Sequence, residues 1–118
     1  MDPGVTGTGF EIAVSQANGV RVLRLAGDFD LAGVGLFESK LDGAGPSRDT
    51  LVVDLRGLTF IDSSGLRAVV MADRQASARG GRCVVIRGSE RIGRVLDLTG
   101  VGERLELVDE LAGPSSPP

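Results

Sequence analysis

Histidine, tryptophan and tyrosine are absent from the 118 residues, and cysteine occurs once. Without histidine no Ser-His-Asp or Cys-His catalytic group can be assembled, and no His-containing zinc site can form. The single thiol, Cys83, can close no internal disulfide; in "RCVVIRG" it reads as a small buried strand residue. Four Phe are the only aromatics, too few for the stacking platforms that hold single-stranded nucleic acid. Lys and Arg form no long run and the formal net charge is −3, which argues against a surface built to neutralise phosphates. No stretch approaches the roughly 20 apolar residues of a membrane span, and the first residues do not resemble a signal peptide. A cytoplasmic protein without a cofactor, a metal or a nucleic-acid partner is expected.

Hydrophobic residues make up 42% of the chain, enough at this length for one core without staples. With so few aromatics, that core must be built from Leu, Val, Ile and Ala. Residues 1–9, "MDPGVTGTG", read as a flexible start, 10–110 as the single domain, and 111–118, "LAGPSSPP", as a disordered tail. "FEIAVSQ" and "VRVLRLAG" read as strands joined by Asn18-Gly19, a strong hairpin signal. "LAGVGLFESKLD" places Leu31, Val34, Phe37 and Leu41 at helical spacing, weakened by Gly33 and Gly35 at up to ~1 kcal/mol each. "TLVVDLRG" is apolar enough for a central strand, where Asp54 needs a partner. "SSGLRAVVMADRQASARGG" reads as a helix stopped by Gly80-Gly81, "RCVVIRG" as a strand, and "SERIGRVLDLTG" as a helix between Ser89 and Gly100. "ERLELVDE" closes the pattern as a strand. The order β-β-α-β-α-β-α-β predicts an α/β domain with a mixed, mostly parallel sheet and an antiparallel N-terminal hairpin.

The stretch "FIDSSGLRAV", residues 60–69, stands out. A strand-to-helix turn offers free amides and the positive end of the helix dipole to a negative group. Asp62, Ser63 or Ser64 could simply cap the helix, worth roughly 1 kcal/mol. Three consecutive cap-competent residues exceed that need, so one hydroxyl could instead be a chemical handle. Asp62 either caps the helix or orients the Ser63 hydroxyl. Ser63, Arg67, Met71 and Arg74 fall along one helical stripe, with Leu66, Val69 and Val70 nearer the core. That stripe is either a partner-binding surface or a solvated basic face. Asp28 and Asp30 are either turn formers or neighbours of the serine at the same sheet end. "DSSGL" is not a nucleophile elbow, because Ile61 replaces the first glycine and no histidine is present to act as base.

"VVDLRGLTFIDSSGLRAVV" resembles the central motif of the STAS domain found in bacterial anti-sigma factor antagonists. "LAGDFD" is similar to that family's acidic turn, with Asp28 and Asp30 at its acids, and "GGRCVVIRGSERIGRVLDLTGV" to the segment that follows the motif. The matches run from about residue 10 to 109 in register. By position, the resemblance implies that Ser63, directly after the motif Asp62, is the phosphorylated serine, with Asp28, Asp30, Asp62, Ser64 and Gly65 around it. It implies partner switching: the unphosphorylated protein binds an anti-sigma factor and frees a sigma factor. The anti-sigma factor, an ATP-dependent serine kinase, phosphorylates Ser63 to end the interaction, and a serine phosphatase reverses this. The protein is then a binding module and not an enzyme. The alternative within the family is a non-switching scaffold or subunit of a larger sensory or membrane-associated complex. Two departures from the family pattern are the Gly-rich first helix and the short segment left for a final helix.

Overall fold

A computed structural model describes residues 9–42 and 49–110. The expected flexible start, apart from Gly9, and the expected disordered tail lie outside the described residues. The chain begins with the antiparallel pair β1 (Glu11–Ala17) and β2 (Val20–Phe29). Asn18 and Gly19, at φ 53° and 78°, supply the two left-handed residues that a tight hairpin turn requires. Then follow α1 (Leu31–Asp42), β3 (Thr50–Ile61), α2 (Ser63–Ala78), β4 (Arg82–Ile86), α3 (Glu90–Thr99), a 3₁₀ turn (Val101–Arg104) and β5 (Leu107–Val108). The sheet order is β1-β2-β3-β4-β5, with every pair after the first parallel. The expected architecture is therefore the observed one.

Strand alternation gives each face of the sheet its own apolar set. Leu23, Leu25, Val53, Leu55 and Val85 point to the face that receives Phe37 and Leu41 from α1, Leu66, Val69 and Ala72 from α2, and Ile92 and Leu96 from α3. Val22, Val52, Val84 and Ile86 form a second, smaller cluster on the opposite face. Full burial of such a side chain contributes about 1.5–3 kcal/mol, so the larger cluster carries most of the fold. Among the described residues no helix is long and apolar enough to cross a membrane.

Three details differ from the sequence expectation. Leu31 opens the apolar stripe of α1 yet is 72% exposed. The inward position near it belongs to Gly33, where a Cβ would stand 2.6 Å from the Phe10 ring. Gly33 thus makes room for an aromatic, whereas a Cβ at Gly35 would meet nothing within 4 Å, so that glycine only weakens the helix. Gly35→Ala is expected to raise stability by up to ~1 kcal/mol and Gly33→Ala to lower it, as compared by thermal unfolding. The second difference is the last strand. "ERLELVDE" supplies only Leu107–Val108, because Gly100 at φ 78° leads into the 3₁₀ turn, which consumes Glu103 and Arg104. The third is β3, which runs beyond Gly57 to Ile61 and carries two bulges. Arg24 and Ala26 pair with Asp54 and Gly57, and Gly27 and Asp28 with Leu58 and Phe60. Each step inserts one extra residue on β3.

Asp54 lies at the first bulge, and its buried carboxylate accepts from the Arg56 amide and from two guanidinium nitrogens at 2.9–3.0 Å. Burial pushes its pKa up, but these hydrogen bonds and the Arg56 charge outweigh that and hold it below 3.8. The contact therefore stabilises the fold above the unfolded-state pKa and is lost as pH falls through the lower, folded value. Cys83 is buried in β4, where desolvation first, then the charges of Asp73 and Glu106, push its thiol up to about 12. It is inert as a nucleophile at neutral pH.

Candidate functional site

The parallel pairing of β2 with β3 brings residues 28–30 beside residues 60–62 at one end of the sheet. The Asp62 amide donates to the Phe29 carbonyl at 3.2 Å, tying the two chain segments together. Asp62 then adopts an extended conformation (φ −109°, ψ −173°) and caps α2. Its Oδ1 accepts from the Ser64 and Gly65 amides at 2.9 and 3.0 Å, and its carbonyl from Leu66 at 2.9 Å. Of its two sequence readings, capping is what the geometry displays. Ser64 takes part in this start through its amide and not through its hydroxyl.

Gly65 follows for a packing reason. A Cβ there would stand 2.6 Å from the Phe29 carbonyl oxygen and 2.9 Å from Ile61 Cγ1. The first turn of α2 can rest against the end of β2 only without a side chain at this position. Ser63, one residue past the cap, is exposed, and its hydroxyl has no hydrogen-bond partner among the described residues. Asp62→Ala is expected to cost about 0.5–2 kcal/mol in chemical denaturation, and Asp62→Asn only a fraction of that.

The acids of the β2–α1 turn are engaged locally. Asp30 caps α1 by accepting from the Ala32 amide at 3.0 Å, and its carbonyl accepts from Gly33 at 2.9 Å. Asp28 accepts the Thr59 hydroxyl at 2.7 Å across the strand pair. Both lie at the same sheet end as Asp62 and Ser63. Phe60, paired with Asp28, is 46% exposed there.

On the other side of Ser63, α2 faces a groove of about 620 Å³. The α2 wall carries Ser63, Arg67, Met71 and Arg74, the stripe expected from helical spacing, above Leu66 and Val70. Val70 is only half-buried and shares the groove, while Leu66 and Val69 are buried in the core. The facing wall is Thr99, Val101 and Arg104. Gly100 in the left-handed region reverses the chain after α3 and brings this wall to α2. Asp28, Asp30 and Asp62 do not line the groove, so Ser63 stands between an acidic side and a basic one. Thr59, Phe60 and the Thr99–Arg104 wall escaped sequence reading. The bulges of β3 hide the exposure of Phe60, and the 3₁₀ turn has no periodicity that would aim Arg104 at α2.

A mixed sheet with a hairpin start, helices packed on its larger core and a capped serine turn after the central strand define a STAS-type domain. The family described as Mlab, STAS domain matches residues 12–109, and the chain belongs to that family. A curated relative from Paenibacillus polymyxa, an anti-sigma F factor antagonist, is 27% identical over 101 residues, covering 84% of this chain and 86% of the relative. The crystal structure of an anti-sigma factor antagonist from Mycobacterium paratuberculosis superposes with a TM-score of 0.77 at 21% identity, over 90% and 91% of the two chains. The Bacillus cell fate determinant SpoIIAA in its phosphorylated form gives 0.63 at 24% identity, over 85% and 93%. These two solved structures are similar to this chain in fold.

Proposed function

We propose that the protein is an anti-sigma factor antagonist switched by phosphorylation of Ser63. The observation that carries this reading is the exposed Ser63 hydroxyl, without a hydrogen-bond partner among the described residues and held at the start of α2 while the Asp62 side chain does the capping. A hydroxyl needed for the fold would be buried or bonded; this one is presented. The names of the relatives, and the phosphorylated form of SpoIIAA, support the same assignment.

In this reading the unphosphorylated protein binds an anti-sigma factor through the face containing Ser63, Arg67, Met71 and Arg74, and so releases a sigma factor in the cytoplasm. The anti-sigma factor is an ATP-dependent serine kinase that modifies Ser63, and a serine phosphatase restores it. The protein is the substrate of that chemistry and contributes no catalytic group. Asp28, Asp30, Asp62, Ser64 and Gly65 form the phosphate's surroundings: the acids add repulsion on one side, and Gly65 sets the height of the turn. Incubation with the anti-sigma kinase and ATP, followed by mass spectrometry, is expected to place one phosphate on Ser63. Absence of modification, with Ser63→Ala releasing sigma factor and ceasing to do so on the same schedule as the wild type, would defeat the switch.

A further inference from the structure

We propose that the groove between α2 and the 3₁₀ turn takes an acidic amphipathic helix of a partner protein, and that Arg104 reads its carboxylates from the wall facing α2. This rests on the reading that the α2 face binds a protein, and it adds the partner's chemistry and a recognition residue from a different part of the chain.

Charge decides the occupant's sign. Arg56, Arg82 and Arg87 each have a carboxylate within 4.0 Å. Arg67, Arg74 and Arg104 have none among the described residues, although the chain as a whole is acidic at −3. Arg21, Arg24, Arg79, Arg91 and Arg94 lack such a partner too, but Arg67, Arg74 and Arg104 line one groove together, with Asp73 near enough to Arg74 to feel its charge. Guanidinium forks pair bidentately with carboxylates, and an apolar surround strengthens such pairs by displacing water.

Shape decides the occupant's form. Arg67 and Arg74 are two helical turns apart, about 10 Å along α2, which matches acids two turns apart on a helix laid alongside. Val70, Met71 and Val101 form the apolar floor between the arginines, and Met71 is 41% exposed with an adaptable thioether chain. A helix placing apolar anchors at one-turn spacing into such a floor, with acids at its margins, is the helix-in-groove mode. A nucleic acid or an anionic membrane fits less well. The groove has no aromatic for stacking, and its partly apolar lining offers three separate arginines, not the continuous basic surface that an extended polyanion needs.

The probe is a fluorescein-labelled helical peptide with a leucine face flanked by glutamates, read by anisotropy on the full chain, beside the same peptide with every Glu replaced by Gln or by Lys. The Glu peptide is expected to bind at least about tenfold more tightly than the Gln peptide, with affinity falling as salt is raised. Arg104→Glu is expected to weaken the Glu peptide by about tenfold or more and to favour the Lys peptide. Arg104→Gln should fall between, and thermal unfolding of both variants should match the wild type. Equal binding of the Glu and Gln peptides, or an Arg104→Glu variant that binds like the wild type, would overturn the proposal. So would anionic phosphatidylserine vesicles or an oligonucleotide binding more tightly than the Glu peptide in an Arg104-dependent way. Ser63 phosphorylation, measured separately, distinguishes the two readings. Phosphate incorporation with no peptide binding removes the groove assignment alone, and peptide binding without phosphorylation removes the switch alone.

Discussion

Replacing Phe29 with alanine is expected to lower stability by about 3–5 kcal/mol. Phe29 is fully buried at the end of β2, stacked on Phe10 at a centroid distance of 4.7 Å and tilted against Phe37 at 5.2 Å. These are three of the four aromatic rings in the chain, so the loss of one ring leaves a space that the surrounding aliphatic side chains can fill only in part. The residue also joins the core to the serine turn. Its carbonyl accepts the Asp62 amide, and Gly65 lies so close that a Cβ would be 3.0 Å from the Phe29 ring. A domain of this size has a total stability of about 5–15 kcal/mol, so the variant should be partly unfolded near physiological temperature. Urea unfolding measures this as a lower midpoint with unchanged slope. Phe29→Leu should retain more than half of the lost stability. A cost below about 1.5 kcal/mol for Phe29→Ala would mean that the α1–β2 layer repacks freely and that the ring does not set the position of the turn.

The elements most legible in the sequence are those whose signals are local. Asn18-Gly19 names its own turn, and Ser89 and Gly100 bracket α3 as cap and left-handed stop. The spacing of Ser63, Arg67, Met71 and Arg74 places them on one wall of the groove because a helix of ordinary geometry needs no tertiary information to align them. What was not legible depends on contacts between distant segments. Gly33 reads as a defect until Phe10 is seen filling the space it leaves. Thr59 becomes the partner of Asp28 only through the bulged register of β3 against β2. Arg104 meets α2 because Gly100 turns the chain by an angle that composition does not specify. Asp62 is intermediate: a cap is one of its two readings, and only the distances to Ser64 and Gly65 select it.

Ser63→Asp is expected to weaken binding to the anti-sigma factor by at least about tenfold while shifting unfolding stability by less than ~0.5 kcal/mol. On the fold side, opposing charges balance at the first turn of α2. The amides of Ser64 and Gly65 are already taken by Asp62, so a new negative group at position 63 cannot use them, and it stands one residue from the Asp62 carboxylate. Two opposing terms remain: the dipole favours an anion in the first turn, and Arg67, one turn on, is a cation at the spacing where helix pairs contribute a few tenths of a kcal/mol. Repulsion and attraction are of similar size, which leaves the fold nearly unchanged. On the partner side nothing offsets the charge. The carboxylate sits at the mouth of the groove, where it draws on Arg67 and removes that guanidinium from the partner. A phosphate, carrying about −1.5 to −2 charge and more acceptor oxygens, should act in the same direction more strongly. Titration calorimetry against the purified anti-sigma factor and thermal unfolding of the same sample separate the two effects. Unchanged affinity would sink the role of Ser63 in partner exchange, whereas a large loss of stability would mean that the switch acts by loosening α2.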